Sequence, residues 1–382
     1  MRGRVLLLRS DRFPAARSSS RNAPNRGIVA IGLSTDSLFD IPPIWCPIAP
    51  AIHPGHADVE KRMLAWVDEF GLCTDDFQRE RVVAARAAEL MARMAPRGVD
   101  ERMLTGANWL IWGFAFDDFY CDPGLGERHT KLEKFVPVAA RCLRYFEAPH
   151  SWRATDPYMA ALGDIAADLR QWAGNTQFRR FADSHYLWFF QVIWEIMNRE
   201  RQVVATLDDY IVMRLQTVGT IPTMLLTEIV NGIEVAPEEV DQPLTRALTE
   251  LTIVITACDN DLMSYTQETR GGRGDHNILT VLTNHNELSL QDAAVQVVAM
   301  RDRCMALFFQ LAERAGKRAS TDLNLYLEQL AHTIRGNHDW GFGAPRYTGR
   351  PDVEIDHRYS DRPSDTSRDP LPIATIAWWW EL

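Results

Sequence analysis

From Ala57 to about Thr348 the chain carries an almost unbroken succession of helical periodicities, with no hairpin signal and no hydrophilic linker between them. Met103, Leu104, Ala107, Leu110, Ile111, Phe114 and Ala115 recur at three-and-four spacing, as do Ala247, Leu248, Leu251, Val254, Ile255 and Cys258, and again Leu323, Tyr326, Leu327, Leu330 and Ile334. A stripe at that spacing is one buried helix face. Ser289 with Asp292 three residues on predicts a capped helix start, while Pro123-Gly124 and Gly271-Gly272 predict stops. Thr252 to Thr256 is rich in β-branched residues and would suit a strand in isolation, but its flanks keep the helical period, which predicts helix. The expectation is one all-α domain over residues 41–348.

The two ends read differently. Residues 1 to about 30 hold Arg2, Arg4, Arg9, Arg12, Arg17, Arg21 and Arg26 against the single acid Asp11, with a run of serines at 18 to 20. Residues 1–40 are therefore expected to be a disordered, solvated tail, with a transit peptide or partner-binding arm as the alternatives. Pro42, Pro43, Pro47, Pro50 and Pro54, with Ile44, Trp45, Ile48 and Ile52 between them, predict an extended strap before the first helix. Residues 349–382 are rich in Asp, Pro, Ser and Arg and are expected to be a flexible tail; its closing Trp378-Trp379-Trp380 leaves docking or fraying open.

Composition narrows the classes of function. With 46% apolar and 24% charged residues in 382, the chain is no disordered or collagen-like polymer. Its 41 basic against 51 acidic residues leave a net charge of −10, which argues against a nucleic-acid partner. Six scattered cysteines without CxxC spacing predict reduced thiols and a cytoplasmic protein. No apolar run approaches a signal core or the roughly 18–20 residues of a membrane span, so neither is expected.

Chemistry concentrates in two stretches. In Phe116-Asp117-Asp118-Phe119-Tyr120-Cys121-Asp122, three carboxylates crowd the C-terminal end of an apolar helix. They repel one another and oppose the helix dipole, so the cluster calls for a cation, and hard divalent ions take carboxylate oxygens. The alternative is an acidic helix end in solvent. In the second stretch Asn260, Ser264 and Glu268 stand at i, i+4 and i+8, within an arc of about 80° on one helix face. An amide, a hydroxyl and a carboxylate form an oxygen-only set that suits Mg²⁺ and does not suit zinc. Two acidic half-sites without a glycine-rich phosphate loop imply a metal-bridged diphosphate. Arg214 and the pair Arg346-Tyr347 are candidates to meet its far side.

This ordered set resembles the bacterial class I terpene synthases over residues 45 to 348, and His53-Pro54, Trp66 and Asn277 are similar too. The resemblance implies a class I terpenoid synthase-like helical bundle around a central pocket. It implies Asp117 as principal ligand of two Mg²⁺ ions with Asp118 and Asp122 in support, and Asn260, Ser264 and Glu268 on a third. Arg214 would sense the diphosphate; Arg346 and Tyr347 would close over it, Arg346 also pairing with Asp118. Three departures stand out: three residues separate Asp118 from Asp122 where many members have two, Gln267 replaces a common Lys or Arg, and Thr217 replaces a common Asp. Arg270 or Arg273 is a candidate substitute for the cation missing at 267.

The implied activity is that of a carbon–oxygen lyase acting on phosphates: ionisation of a linear prenyl diphosphate and cyclisation of the cation in a water-free pocket. Aromatic faces suit such a lining. Phe114, Phe119, Trp188, Phe189 and Trp340 are the candidates, Trp340 and Phe114 foremost. Farnesyl diphosphate leading to a sesquiterpene is the first expectation; geranyl or 2-methylgeranyl diphosphate, as in 2-methylisoborneol-type cyclases, is the alternative. A non-catalytic helical interaction protein is the rival of another class. Homodimerisation is a family-level expectation. Asp75-Asp76 and Asp208-Asp209 are read as helix starts, and His338-Asp339 as a dyad without a nucleophile.

Overall fold

Helices form wherever the three-and-four spacing predicts them. A computed structural model describes residues 38–121, 131–148, 156–270, 276–349 and 359–382. In chain order the helices are α1 (His56–Phe70), α2 (Asp76–Ala85), α3 (Ala87–Met94), α4 (Asp100–Phe116), α5 (Leu132–Glu147), α6 (Pro157–Trp172) and α7 (Asn175–Arg201). They continue as α8 (Leu207–Thr217), α9 (Thr220–Val230), α10 (Pro237–Val240), α11 (Pro243–Arg270), α12 (Ile278–Asn286), α13 (Leu290–Gly316), α14 (Thr321–Gly343) and α15 (Pro345–Thr348). The protein is all-α, and among the described residues its strands are one parallel pair, β1 (Ile44–Trp45) with β2 (Tyr359–Ser360). No helix among those residues is long and apolar enough to cross a membrane.

Local chemistry explains the starts. Asp75 caps α2 by accepting from the Gln78 amide at 2.8 Å, Thr206 caps α8, and Ser289 caps α13 by accepting from the Asp292 amide at 3.1 Å. The acidic pairs at 75 and 208 thus sit in first turns, where the dipole favours them. The β-branched run lies inside α11 because its hydroxyls bond back one turn: Thr252 Oγ donates to the Leu248 carbonyl at 2.9 Å and Thr256 Oγ to that of Thr252 at 3.0 Å. The expected stops at 123–124 and 271–272 lie outside the described residues.

Two apolar clusters build the core. One joins α1, α3, α4, α5, α6 and α7, with Trp109, Trp112, Phe116 and Phe189 buried in it; the other joins α8, α11, α12, α13 and α14. α9 supplies residues to both, and the cavity of the molecule opens between them.

The C-terminal segment differs from expectation. Residues 1–37 lie outside the described part, but residues 359–382, expected to be flexible, pack on the second cluster. Leu371, Ile373, Ile376 and Trp379 are all buried, and Trp379 Nε1 donates to Glu250 at 2.9 Å. The strap is held by fully buried Arg301, whose guanidinium pairs with Asp259 at 2.7 Å and donates to the Trp45 carbonyl at 2.5 Å. Asp302 accepts from both the amide and the hydroxyl of Ser364 at 2.8 Å. A polar composition over 361–369 concealed these ties because its partners are buried charges far away in sequence.

Candidate active site

The pocket has a volume of about 280 Å³ and is lined by α2, α3, α4, α7, the α8–α9 break, α11, α14 and α15. Its polar side is made of two banks facing each other.

The first bank ends α4. Asp117–Cys121 forms a π-helical turn, a wider winding that redirects side chains at a helix end. Asp117 lines the pocket. Asp118, the next residue, does not; its carboxylate accepts two bonds of 2.9 Å from Arg346 and two more from Arg81, the Arg81 Nε bond being 3.0 Å. Burial alone would raise the Asp118 carboxyl, but the guanidiniums of Arg346 and Arg81 hold it well below the usual carboxylate range. The expected Arg346–Asp118 pair is therefore present, while Arg81, on a helix with no sequence signal of its own, was missed. Asp122 lies outside the described residues.

The second bank is one face of the 28-residue α11. Asn260, Ser264 and Glu268 all line the pocket, as the i, i+4, i+8 spacing requires. Arg214 donates to Asn260 Oδ1 at 2.7 Å and to Asp261 at 2.6 Å, so the two stretches meet directly. Asn260 Nδ2 in turn donates to the Tyr347 hydroxyl at 2.9 Å. Asp261 was overlooked because it adjoins the triad without sharing its face. It is buried, accepts from Tyr210 and from the Ile278 amide at 2.7 Å, and anchors Arg214. Asn277 caps α12 with its Oδ1, accepting from the Leu279 amide, and donates to Glu268 at 3.1 Å.

The α8–α9 break follows from Gly219, whose φ of +72° favours a residue without Cβ. Thr217, two residues before it, lines the pocket with a buried hydroxyl that has no hydrogen-bond partner among the described residues, so within these it does not link Arg214 to the break. Gln267 lines the pocket as well. Arg273 lies outside the described residues, as does the side chain of Arg270.

Aromatic side chains form the rest of the wall. Phe114 stacks on Trp340 at 5.6 Å, and Arg346 lies 5.0 Å above the Phe114 ring. Trp340 is fixed by donating to the Ala85 carbonyl at 2.8 Å and meets Tyr347 edge-on at 5.5 Å. Trp188 lines the pocket with Trp109, whose role was not foreseen. Trp109 Nε1 donates to His185 Nε2 at 3.1 Å, and burial pushes that imidazole down to about 4. Two expected lining residues are corrected. Phe119 is 41% exposed and stacks outward on Tyr158, because the π turn rotates it away. Phe189 is buried in the core between Phe116 and Phe135. His338-Asp339 is no catalytic dyad: His338 faces Asp259 at 3.5 Å, while Asp339 is held by Arg335 and Tyr359.

The second bank fits a hard divalent cation. Ser264 Oγ is buried beside Glu268 without a hydrogen bond of ordinary geometry, and burial raises the Glu268 carboxyl with Asp261 adding to the rise. A cation held by these oxygens would relieve both conditions.

Residues 108–306 match the family described as terpene synthase family 2, C-terminal metal binding. The chain is 36% identical to a spiroviolene synthase of Streptomyces violens over 91% of this chain and 98% of that protein. It is 31% identical to a (2E,6E)-farnesyl diphosphate cyclizing (+)-T-muurolol synthase of Streptomyces clavuligerus, covering 88% and 81% of the two chains. Among solved structures, the SVS_A2 protein from ancestral sequence reconstruction superposes with a TM-score of 0.80 at 40% identity, covering 90% of this chain and 99% of that one.

Proposed function

Because this chain belongs to the terpene synthase family, and so is a class I terpene synthase acting on a prenyl diphosphate, we propose that its substrate is farnesyl diphosphate, cyclised to a sesquiterpene with release of diphosphate. The observation that carries the site assignment is the meeting of the two banks: Asp117 on one side and Asn260, Ser264 and Glu268 on the other line one pocket, with Arg214, Arg346 and Tyr347 between them. The farnesyl chain is supported by the relatives whose names specify it, the muurolol synthase among them.

Asp117, Asn260, Ser264 and Glu268 would hold the metal, for which we propose three Mg²⁺ ions; Asp122 is proposed as a further ligand of the first bank. When bound, Mg²⁺ supplies Lewis-acid stabilisation of the negative charge that grows on the departing diphosphate. Arg214 and Arg346 present guanidinium forks to the same phosphate oxygens, and the Tyr347 hydroxyl adds a neutral donor. Arg214 is oriented for this by Asn260 and Asp261, and Arg346 by Asp118. Phe114, Trp340, Trp109 and Trp188 exclude water and offer ring faces to the allylic cation.

A second reading, a longer C20 chain, is favoured by open space on the cavity wall at Gly113 and Gly219, where nothing among the described residues lies within 4 Å of an added Cβ. Incubating purified protein with C10, 2-methyl-C10, C15 and C20 diphosphates, with and without Mg²⁺, and separating products by gas chromatography with mass detection tests both. A C15 hydrocarbon or alcohol formed only with Mg²⁺ is the expected result. Turnover of C20 alone selects the second reading, and turnover of a C10 or C11 substrate alone overturns both.

A further inference from the structure

We propose that Arg81 is a diphosphate-binding residue of this site, a second guanidinium that reaches the pocket from α2. The inference rests on the reading of the pocket as a prenyl diphosphate site.

Arg81 spends Nε and Nη2 on Asp118, and Nη1 has no hydrogen-bond or ion-pair partner among the described residues. The side chain lines the same cavity as Asp117, Arg346 and Tyr347, whereas Asp118 does not. Asp118 therefore works from behind, holding two guanidiniums whose side chains both line the cavity. Both arginines are largely enclosed, with side-chain exposures of 27% for Arg81 and 13% for Arg346. Two guanidiniums share that one carboxylate. Asp117, a further acid beside Arg346, is the one proposed above to hold the metal. A wall so arranged favours an anion with several oxygens, and a guanidinium edge matches phosphate geometry better than any other side chain. The contribution comes from an element that supplies none of the other polar groups of the two banks, so no motif around them announces it.

The competing role is purely indirect: Arg81 could hold Asp118 and through it Arg346, without touching diphosphate. A double-mutant cycle separates the two. Isothermal titration of the full chain with inorganic diphosphate in Mg²⁺ is the readout, applied to Arg81→Gln, Asp118→Asn and the double variant, each checked for folding by thermal unfolding. Loss of a charge-assisted contact is expected to weaken diphosphate binding roughly 10- to 100-fold in Arg81→Gln. That loss is expected to persist when Asp118 is already Asn. Unchanged affinity in a folded Arg81→Gln, or a loss that vanishes in the Asp118→Asn background, overturns the proposal. Should Arg81→Gln fail to fold, Arg81→Lys keeps the charge without the fork and carries the same test with a smaller loss, roughly 3- to 10-fold. A wild-type chain that neither binds diphosphate in Mg²⁺ nor turns over any prenyl diphosphate contradicts the parent reading itself. A wild-type chain that does both, beside an equally tight Arg81→Gln, contradicts the assignment of Arg81 alone.

Discussion

The two polar banks of the pocket are built in opposite ways. The Asn260, Ser264 and Glu268 bank stands on a long helix, and its partners come from three directions, Arg214 from α8, Tyr347 from α15 and Asn277 ahead of α12, while Asp261 of α11 anchors Arg214. The aspartate bank stands at the frayed end of α4, in a π turn, with Asp117 facing the cavity and Asp118 turned back onto two arginines. One bank is prearranged by a hydrogen-bond network within the second half of the chain. The other is assembled by side chains arriving from α2 and α15. Adjacent carboxylates in a motif can therefore have separate tasks, one toward ligand and one toward the scaffold.

The largest expected effect tests whether both banks are needed. Asp117→Asn and Glu268→Gln should each lower turnover by roughly 10³-fold or more, since each removes a charge from a cavity-lining carboxylate proposed to hold the metal. Product formation per unit time measures it, and retention of near-full rate in either variant would break the symmetry of the two banks.

Acid separates the aromatic wall beside the first bank from the rest. His185 is neutral in the fold, with its imidazole pushed from the ordinary 6.5 down to about 4 by burial, which outweighs its bond to the Phe181 carbonyl. The unfolded chain takes up the proton first as pH falls, so this contribution is complete above 6.5 and is lost progressively as pH falls from 6.5 to about 4. The shift corresponds to about 3 kcal/mol at most. Urea unfolding across that window checks it, and His185→Gln should flatten this part of the profile.

Asp118→Asn should be milder than Asp117→Asn, roughly 10- to 100-fold in turnover, because it loosens Arg346 and Arg81 while leaving the cavity-facing acid intact. Equal losses at 117 and 118 would mean that both acids serve the cations. Smallest is Asn277→Ala, which removes the donor to Glu268 and the cap of α12. About 10-fold weaker Mg²⁺ activation is expected, together with about 1 kcal/mol of lost stability, read from a metal titration and a melt.

The difference between the banks also explains what was legible in the sequence. The triad announces itself because three oxygen-bearing residues at four-residue intervals must share a helix face. Arg214 stands out as a cation on an apolar stretch and Arg346-Tyr347 as a pair just past Trp340 and the Gly341 to Pro345 segment, and the periodic stripes locate α4, α11 and α14. Residues that act through tertiary contact left no such mark. Arg81 lies on a helix with an ordinary charged pattern, Trp109 is one tryptophan among 12, and Asp261 faces away from the triad. Phe119 departs from expectation because proximity to the acids in sequence does not fix direction once α4 widens into a π turn, and Phe189 because its place in the helical run from Trp188 to Glu195 does not say which aromatic faces the cavity and which the core. The C-terminal segment looked like a solvated tail because its polar residues bond to two charges, buried Asp302 and half-buried Arg303, that only the fold brings near.

The central claim is that two unlike banks converge on one metal-bridged diphosphate. A crystal of the full chain grown with diphosphate and Mn²⁺ in place of Mg²⁺, examined by anomalous difference density, tests it most directly. The account expects anomalous peaks within coordination distance of Asp117 and of Asn260, Ser264 and Glu268, with diphosphate between them reached by Arg214 and Arg346. Peaks at only one bank, or diphosphate bound away from both arginines, would contradict it.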